Sequence, residues 1–192
     1  TIMADFPEFL PNTYDQYYLY PDYKVSHLDP NFTRADEVMA GREKRVFTEC
    51  AEVIKEGKLG DKFHAISDAH AEMMIKVAEA IAYNKNDRHI LIVENNGAIA
   101  NMQDDAMVEV VCELGINGPR PMRVGNIPQF NLGLLVNQVS CEKLIVDAYF
   151  ENSYQKALEA FTLNRLINDA KKARKVLDAL IEANKGMWPE LR

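Results

Sequence analysis

The sequence predicts an α+β domain in which helices flank a small, mostly antiparallel sheet. Two observations carry that prediction. Apolar residues recur at helical spacing early and late in the chain, whereas the middle alternates and is broken by Pro119, Pro121 and Pro128. No strand–GxGxxG–helix unit occurs anywhere in the 192 residues, so no dinucleotide-binding fold is encoded in them.

Each element has a local cause. Residues 1–30 are rich in proline and aromatics, which suit core packing or a subunit interface. Asn12 and Thr13 can cap a short helix over 14–20, which Pro21 is expected to end. Thr33 with Asp36 three residues on resembles a capping box and opens a long helix over 33–56. Val46, Cys50, Val53 and Ile54 give that helix an apolar stripe, and Gly57 and Gly60 end it. Another helix is expected from Ser67 or Asp68 to Tyr83, with Met73 or Met74, Val77 and Ile81 along one side. Residues 88–93 (RHILIV) then read as a strand and 94–97 (ENNG) as a turn. A second strand is expected over 106–114 and a shorter third over 121–124. From Gln129 the helical period returns in Leu132, Leu135, Val136 and Val139, and it resumes at Ile145 and Tyr149. A last helix is expected over 168–184, with Ala173, Val176, Leu177, Leu180 and Ile181 on one face. Its Lys171, Lys172, Arg174 and Lys175 form a solvated face, and Gly186 stops it.

Composition excludes several function classes. Hydrophobic residues at 47% and charged residues at 27% describe a folded domain. A formal charge of −7 argues against a general nucleic-acid binder. Cys50, Cys112 and Cys141 are widely spaced and form no CxxC pair, so a disulfide framework or structural zinc is not expected. A reducing compartment, the cytoplasm, fits them. No apolar run approaches the roughly 18 residues of a membrane span. The first residues, Thr1-Ile2-Met3-Ala4-Asp5, do not read as a signal peptide.

Metal-ligand motifs are missing among His27, His64, His70 and His89: there is no HxH, HExxH or Cys/His cluster. No GxSxG elbow occurs either. Interest falls on residues 13–47. Arg34 lies in the first turn of the long helix, with Arg45 within about 20° of it around the axis and Arg42 within about 80°. A guanidinium beside a helix N-terminus can hold a phosphate, because free N–H groups and the macrodipole favour an anion there. On spacing alone, surface arginines paired with Glu37 and Glu43 are the simpler reading. A tyrosine could serve as a base, provided a nearby cation or metal lowers its reference pKa of about 10. Composition does not choose among Tyr14, Tyr17, Tyr18, Tyr20 and Tyr23.

Six runs go further: YYLYPD (17–22), TRADEVMAGREKRVF (33–47), AIAYN (80–84), IVENNGAIANM (92–102), NGPRPMRVGNIPQF (117–130) and EANKGMWPEL (182–191). In this order they resemble glycoside hydrolase family 4, nearest to its 6-phospho-α-glucosidases. The likeness covers almost the whole chain but only the C-terminal part of such an enzyme, whose fold is like that of lactate and malate dehydrogenases. It implies that residues 1–192 are the substrate and oligomerisation domain, with an upstream NAD-binding domain as partner. It implies a cytoplasmic enzyme using NAD and Mn2+, associated as a homo-oligomer, acting on phosphorylated sugars, without nucleic-acid or membrane partners. Family members remove a hydride from C3 of a 6-phosphoglycoside, and a tyrosine takes the acidified C2 proton. The aglycone is eliminated, water adds, and the hydride returns. By position, Tyr14 matches the catalytic base and Arg34 matches an arginine near the sugar phosphate. The family's Cys and His metal ligands lie upstream of Thr1, so the resemblance implies no metal or cofactor ligand here and no turnover by this part alone. A second reading, from another class, is a stand-alone structural or sugar-phosphate-binding module, or a subunit that completes a split enzyme.

Overall fold

A computed structural model describes residues 2–7, 12–58 and 69–192. Helices flank a three-stranded antiparallel sheet, as the sequence predicts. The described chain begins with three short helices, α1 (Ile2–Asp5), α2 (Asp15–Leu19) and α3 (Pro21–Ser26). Two longer ones follow, α4 (Arg34–Glu56) and α5 (Ala69–Ala82). Strands β1 (Asp87–Glu94), β2 (Met107–Gly115) and β3 (Gly118–Pro121) form the sheet in that order. Helices α6 (Gln129–Glu151), α7 (Tyr154–Leu163) and α8 (Ala170–Ala183) complete the chain. Two compact units result. The first comprises Thr1–Leu19, Arg88–Glu113 and Pro119–Arg192; the second comprises Tyr20–Asp87 and Leu114–Gly118.

The first unit holds the main core. Val108, Val110 and Cys112 point from alternate positions of β2 into a cluster with Ala98, Ile99, Met102 and Val139. Leu91 and Val93 of β1 and Leu132 of α6 pack against it. Period-2 alternation on the strands and helical spacing on α6 thus meet in one apolar layer. A second cluster joins Ala148, Ala157 and Leu177 of the last three helices, with Leu191 packed on it. Main-chain bonds hold the final residues there: Tyr154 N donates to Arg192 O at 3.0 Å, and Arg192 N to Asn152 O at 2.8 Å.

The turn after β1 is built around Asn95, which is fully buried. Its Nδ2 donates toward Ile99 O at 3.0 Å, Met102 O at 3.2 Å and Gln103 O at 3.1 Å, while its Oδ1 accepts from Ile99 N at 2.7 Å. Asn101 does the same for the next loop, bonding both the N–H and the C=O of Ile127. A side chain satisfies main-chain groups that a loop would otherwise bury unpaired.

In the second unit, Asn84 Oδ1 accepts from Ile116 N at 3.0 Å. Gly115 allows that approach, since a Cβ there would stand 2.7 Å from Asn84 Oδ1 and from Asn86 Oδ1. Helix α4 starts as the sequence predicts. Thr33 and Asp36 form a reciprocal capping box, and Gly57 ends the helix at φ 66°.

Several elements differ from the sequence expectation. Pro21 does not only end one helix; it opens α3 at the first helical position, where its missing N–H costs nothing. The third strand is Gly118–Pro121 rather than 121–124, because Gly118 at φ 87° turns the hairpin back immediately after β2. Its prolines fit because β3 is an edge strand and the next residue, Met122, on the opposite parity, donates to Val111 O of β2. Helix α7 was not anticipated; Asn152 in the left-handed region and the Ser153 cap separate it from α6. The stripe on α4 is not covered by the described residues: Ile54 and Cys50 are exposed, as are Met39 and Phe47. Met73, Met74 and Ile81 of α5, and Leu135, Ile145 and Tyr149 of α6, are likewise exposed. Gly60, the Ser67 or Asp68 helix start, and His64 lie outside the described residues.

Candidate functional site

Tyr14 stands immediately before α2. Asn12 fixes that entry: its Oδ1 accepts from Tyr14 N at 2.9 Å, and its own N–H donates to Asp15 Oδ2 at 2.7 Å. These bonds take up the N–H groups of Asn12 and Tyr14 in a turn just ahead of α2, not those of its first turn. The Tyr14 side chain faces solvent at 68% exposure, with its ring 6.5 Å from that of Tyr17. Arg165 reaches the other end of α2 and donates from Nη2 to Tyr18 O at 3.2 Å. A five-residue helix cannot stabilise itself, so such contacts decide where it sits.

Arg34 is the first residue of α4 and is bonded to Glu37 Oε2 at 2.5 Å. Its side chain is 78% exposed, so the pair adds little stability. Arg34, Glu37, Val38, Gly41, Arg42 and Arg45 line one concavity of about 330 Å³. The helical spacing therefore does gather the three arginines, and the expected pairing with Glu37 is present beside them. Just ahead, Asp36 accepts from Thr33 Oγ1 at 2.7 Å and from Thr33 N at 2.8 Å. Those bonds hold its carboxyl below the ordinary value of 3.8. Tyr14 belongs to the first unit and Arg34 to the second.

Among the described residues, no group of three or more His, Cys, Asp or Glu could hold a metal ion. His27 Nδ1 is occupied locally, 2.8 Å from Tyr23 O, and Cys112 and Cys141 are buried. The chain also lacks a glycine-rich cradle for a dinucleotide. Among the described residues, no set therefore assembles by itself a site that fits manganese or NAD. The chemistry they offer is that of an accessible phenol and a set of guanidinium groups.

A model of the family 4 glycosyl hydrolase C-terminal domain matches residues 1–167. The chain belongs to glycosyl hydrolase family 4. Within the family, it is 50% identical over 192 residues to the maltose-6'-phosphate glucosidase of Fusobacterium mortiferum. That alignment covers all of this chain and 43% of the relative. A 6-phospho-alpha-glucosidase from gut microorganisms, solved in complex with NAD and Mn2+, is 81% identical with a TM-score of 0.93. A second gut-microbial 6-phospho-alpha-glucosidase, solved with NAD and glucose-6-phosphate, is 48% identical with a TM-score of 0.92. Both cover 100% of this chain, which spans 43% of each. Among the described residues of this family 4 chain, no helix is long and apolar enough to cross a membrane.

The fold and the family were both legible in the sequence. The residues around α2 were not. Arg165 meets Tyr18 across 147 positions, and Asn131 and Gln138 come beside Asp15 from α6. No spacing signal marks such a meeting.

Proposed function

We propose that this chain is the C-terminal, substrate-side part of a 6-phospho-α-glucosidase that hydrolyses 6-phosphorylated disaccharides such as maltose 6′-phosphate. The observation that carries this reading is 81% identity across the whole chain to a 6-phospho-alpha-glucosidase. Residues 1–192 form the substrate and oligomerisation domain, and an upstream domain supplies the sites for NAD and Mn2+. Those cofactors provide the oxidation at C3 that acidifies the neighbouring C–H. Within this chain, Tyr14 is the base that takes the proton from C2 of the phosphorylated ring. Its exposed phenol, held just ahead of α2 by the bond from Tyr14 N to Asn12, supports that role. Arg34 receives the sugar phosphate. A phosphate offers a guanidinium the same paired oxygens as Glu37, with more charge, and can displace it. The enzyme works in the cytoplasm, and exposed Met39, Phe47 and Ile54 on α4 support its association into an oligomer.

The test is hydrolysis of p-nitrophenyl-α-glucoside 6-phosphate with NAD and Mn2+. The full-length enzyme is expected to turn over and this chain alone is not. Robust turnover by the chain alone would overturn the division of labour. In the full-length enzyme, Tyr14→Phe is expected to lower kcat by about 10²-fold or more, as for loss of a general base. An unchanged rate would overturn the assignment of Tyr14.

A further inference from the structure

A recessed cavity of about 340 Å³ lies between α2 and α6. Asp15, Tyr18, Asn131, Asn137, Gln138 and Arg165 line it, over a floor that includes Leu134. Its first lining residue, Asp15, follows Tyr14 directly, about 3.8 Å along the chain. Tyr14 is not among the lining residues but stands one residue from the cavity's edge, with its side chain exposed, and every residue named here belongs to the first unit.

The lining matches a neutral sugar. Asn131 is half-buried and its amide has no hydrogen-bond partner among the described residues. Asn137 donates from Nδ2 to Leu163 O at 3.2 Å and Gln138 from Nε2 to Glu142 Oε1 at 2.8 Å, so both side-chain carbonyls stay open to a hydroxyl. Asp15 uses Oδ2 for Asn12 N and keeps Oδ1. Arg165 spends one of its donors on Tyr18 O. Amides, a carboxylate and a guanidinium are the groups that satisfy hydroxyls able both to donate and to accept. Tyr18 and Leu134 give the apolar surface that the C–H face of a pyranose packs against. Asp15 and Arg165 balance in charge, so the cavity does not favour a phosphate, unlike the concavity of three arginines and one glutamate on α4.

We infer that this cavity seats the leaving-group hexose of the phosphorylated disaccharide, an inference that rests on the reading of Tyr14 as the base. The test compares two substrates of the full-length enzyme with NAD and Mn2+. Maltose 6′-phosphate presents a hexose leaving group, whereas p-nitrophenyl-α-glucoside 6-phosphate presents an aromatic one without hydroxyls. Asn131→Ala is expected to lower kcat/KM for maltose 6′-phosphate about five- to tenfold, the effect of losing one neutral hydrogen bond. The nitrophenyl substrate is expected to change less than about twofold, within the small effect of a surface substitution. Gln138→Met keeps the side-chain length and gives the same comparison if Asn131→Ala does not fold. Equal losses on both substrates by a folded variant, or no loss on either, would overturn the assignment. Tyr14→Phe separates the two readings. It slows both substrates if Tyr14 is the base and neither if it is not, whereas the cavity variants move the disaccharide alone.

Discussion

Replacing Asn95 by alanine tests how the turn after β1 is held. The wild-type side chain is 0% exposed and meets four main-chain groups. Alanine orphans the N–H of Ile99, a residue only 6% exposed, which loses its 2.7 Å acceptor. It also withdraws the two amide hydrogens shared among the carbonyls of Ile99, Met102 and Gln103. At most three bonds are therefore made at once, and a buried group left unpaired costs about 1–3 kcal/mol. Part of that is offset because the amide itself no longer has to be desolvated. The net loss is about 3–5 kcal/mol, a large share of the roughly 5–15 kcal/mol that holds a typical domain. At about 2–4 °C per kcal/mol for a chain of this size, Tm should fall by about 6–20 °C. Thermal unfolding by circular dichroism gives the global figure, and hydrogen exchange at the Ile99 amide gives the local one. A Tm within about 3 °C of wild type, with the Ile99 amide still protected, would refute the reasoning.

Asp36 gives a pH prediction. Its carboxyl is held below the ordinary 3.8 by hydrogen bonds from Thr33, so the cap is fully present above that value and is lost as pH falls through the lowered one. The Thr33 amide resonance should titrate with a midpoint below 3.8, and a midpoint at or above about 4 would contradict the cap. Cysteine reactivity should divide by burial. Cys50 is exposed, whereas burial pushes Cys112 and Cys141 above their ordinary 9.0, with Glu142 adding to Cys141. At pH 8, iodoacetamide should label Cys50 at least about tenfold faster than the other two by mass spectrometry, and comparable rates would refute it.

Elements governed by their own residues were legible in advance. The Thr33–Asp36 box, the Gly57 stop, the alternating β2 and the Asn12 entry to α2 all depend on groups within four positions of one another. Less was legible where one residue type serves two local purposes. Pro21 lies just beyond the end of α2, as the sequence predicts, yet proline is equally suited to a first helical turn, and it also opens α3. Likewise, 121–124 read as a strand by composition, while the hairpin fixed its strand earlier through the backbone freedom of Gly118.

The sequence by itself determined the fold class, the order of most elements, the family, and which residues were candidates for the chemistry. Tertiary structure alone decided which apolar residues are covered: Leu132 and Val139 of α6 meet the sheet core, whereas Leu135 of the same helix is exposed, as are Cys50 and Ile54 of α4. It also decided that Arg165 reaches Tyr18 and that Asp15 faces the amides of α6. The physical reason is range. Caps, turns and periodicity are set by neighbours along the chain, whereas burial and convergence depend on residues distant in sequence, 147 positions apart for Tyr18 and Arg165, whose meeting leaves no local pattern.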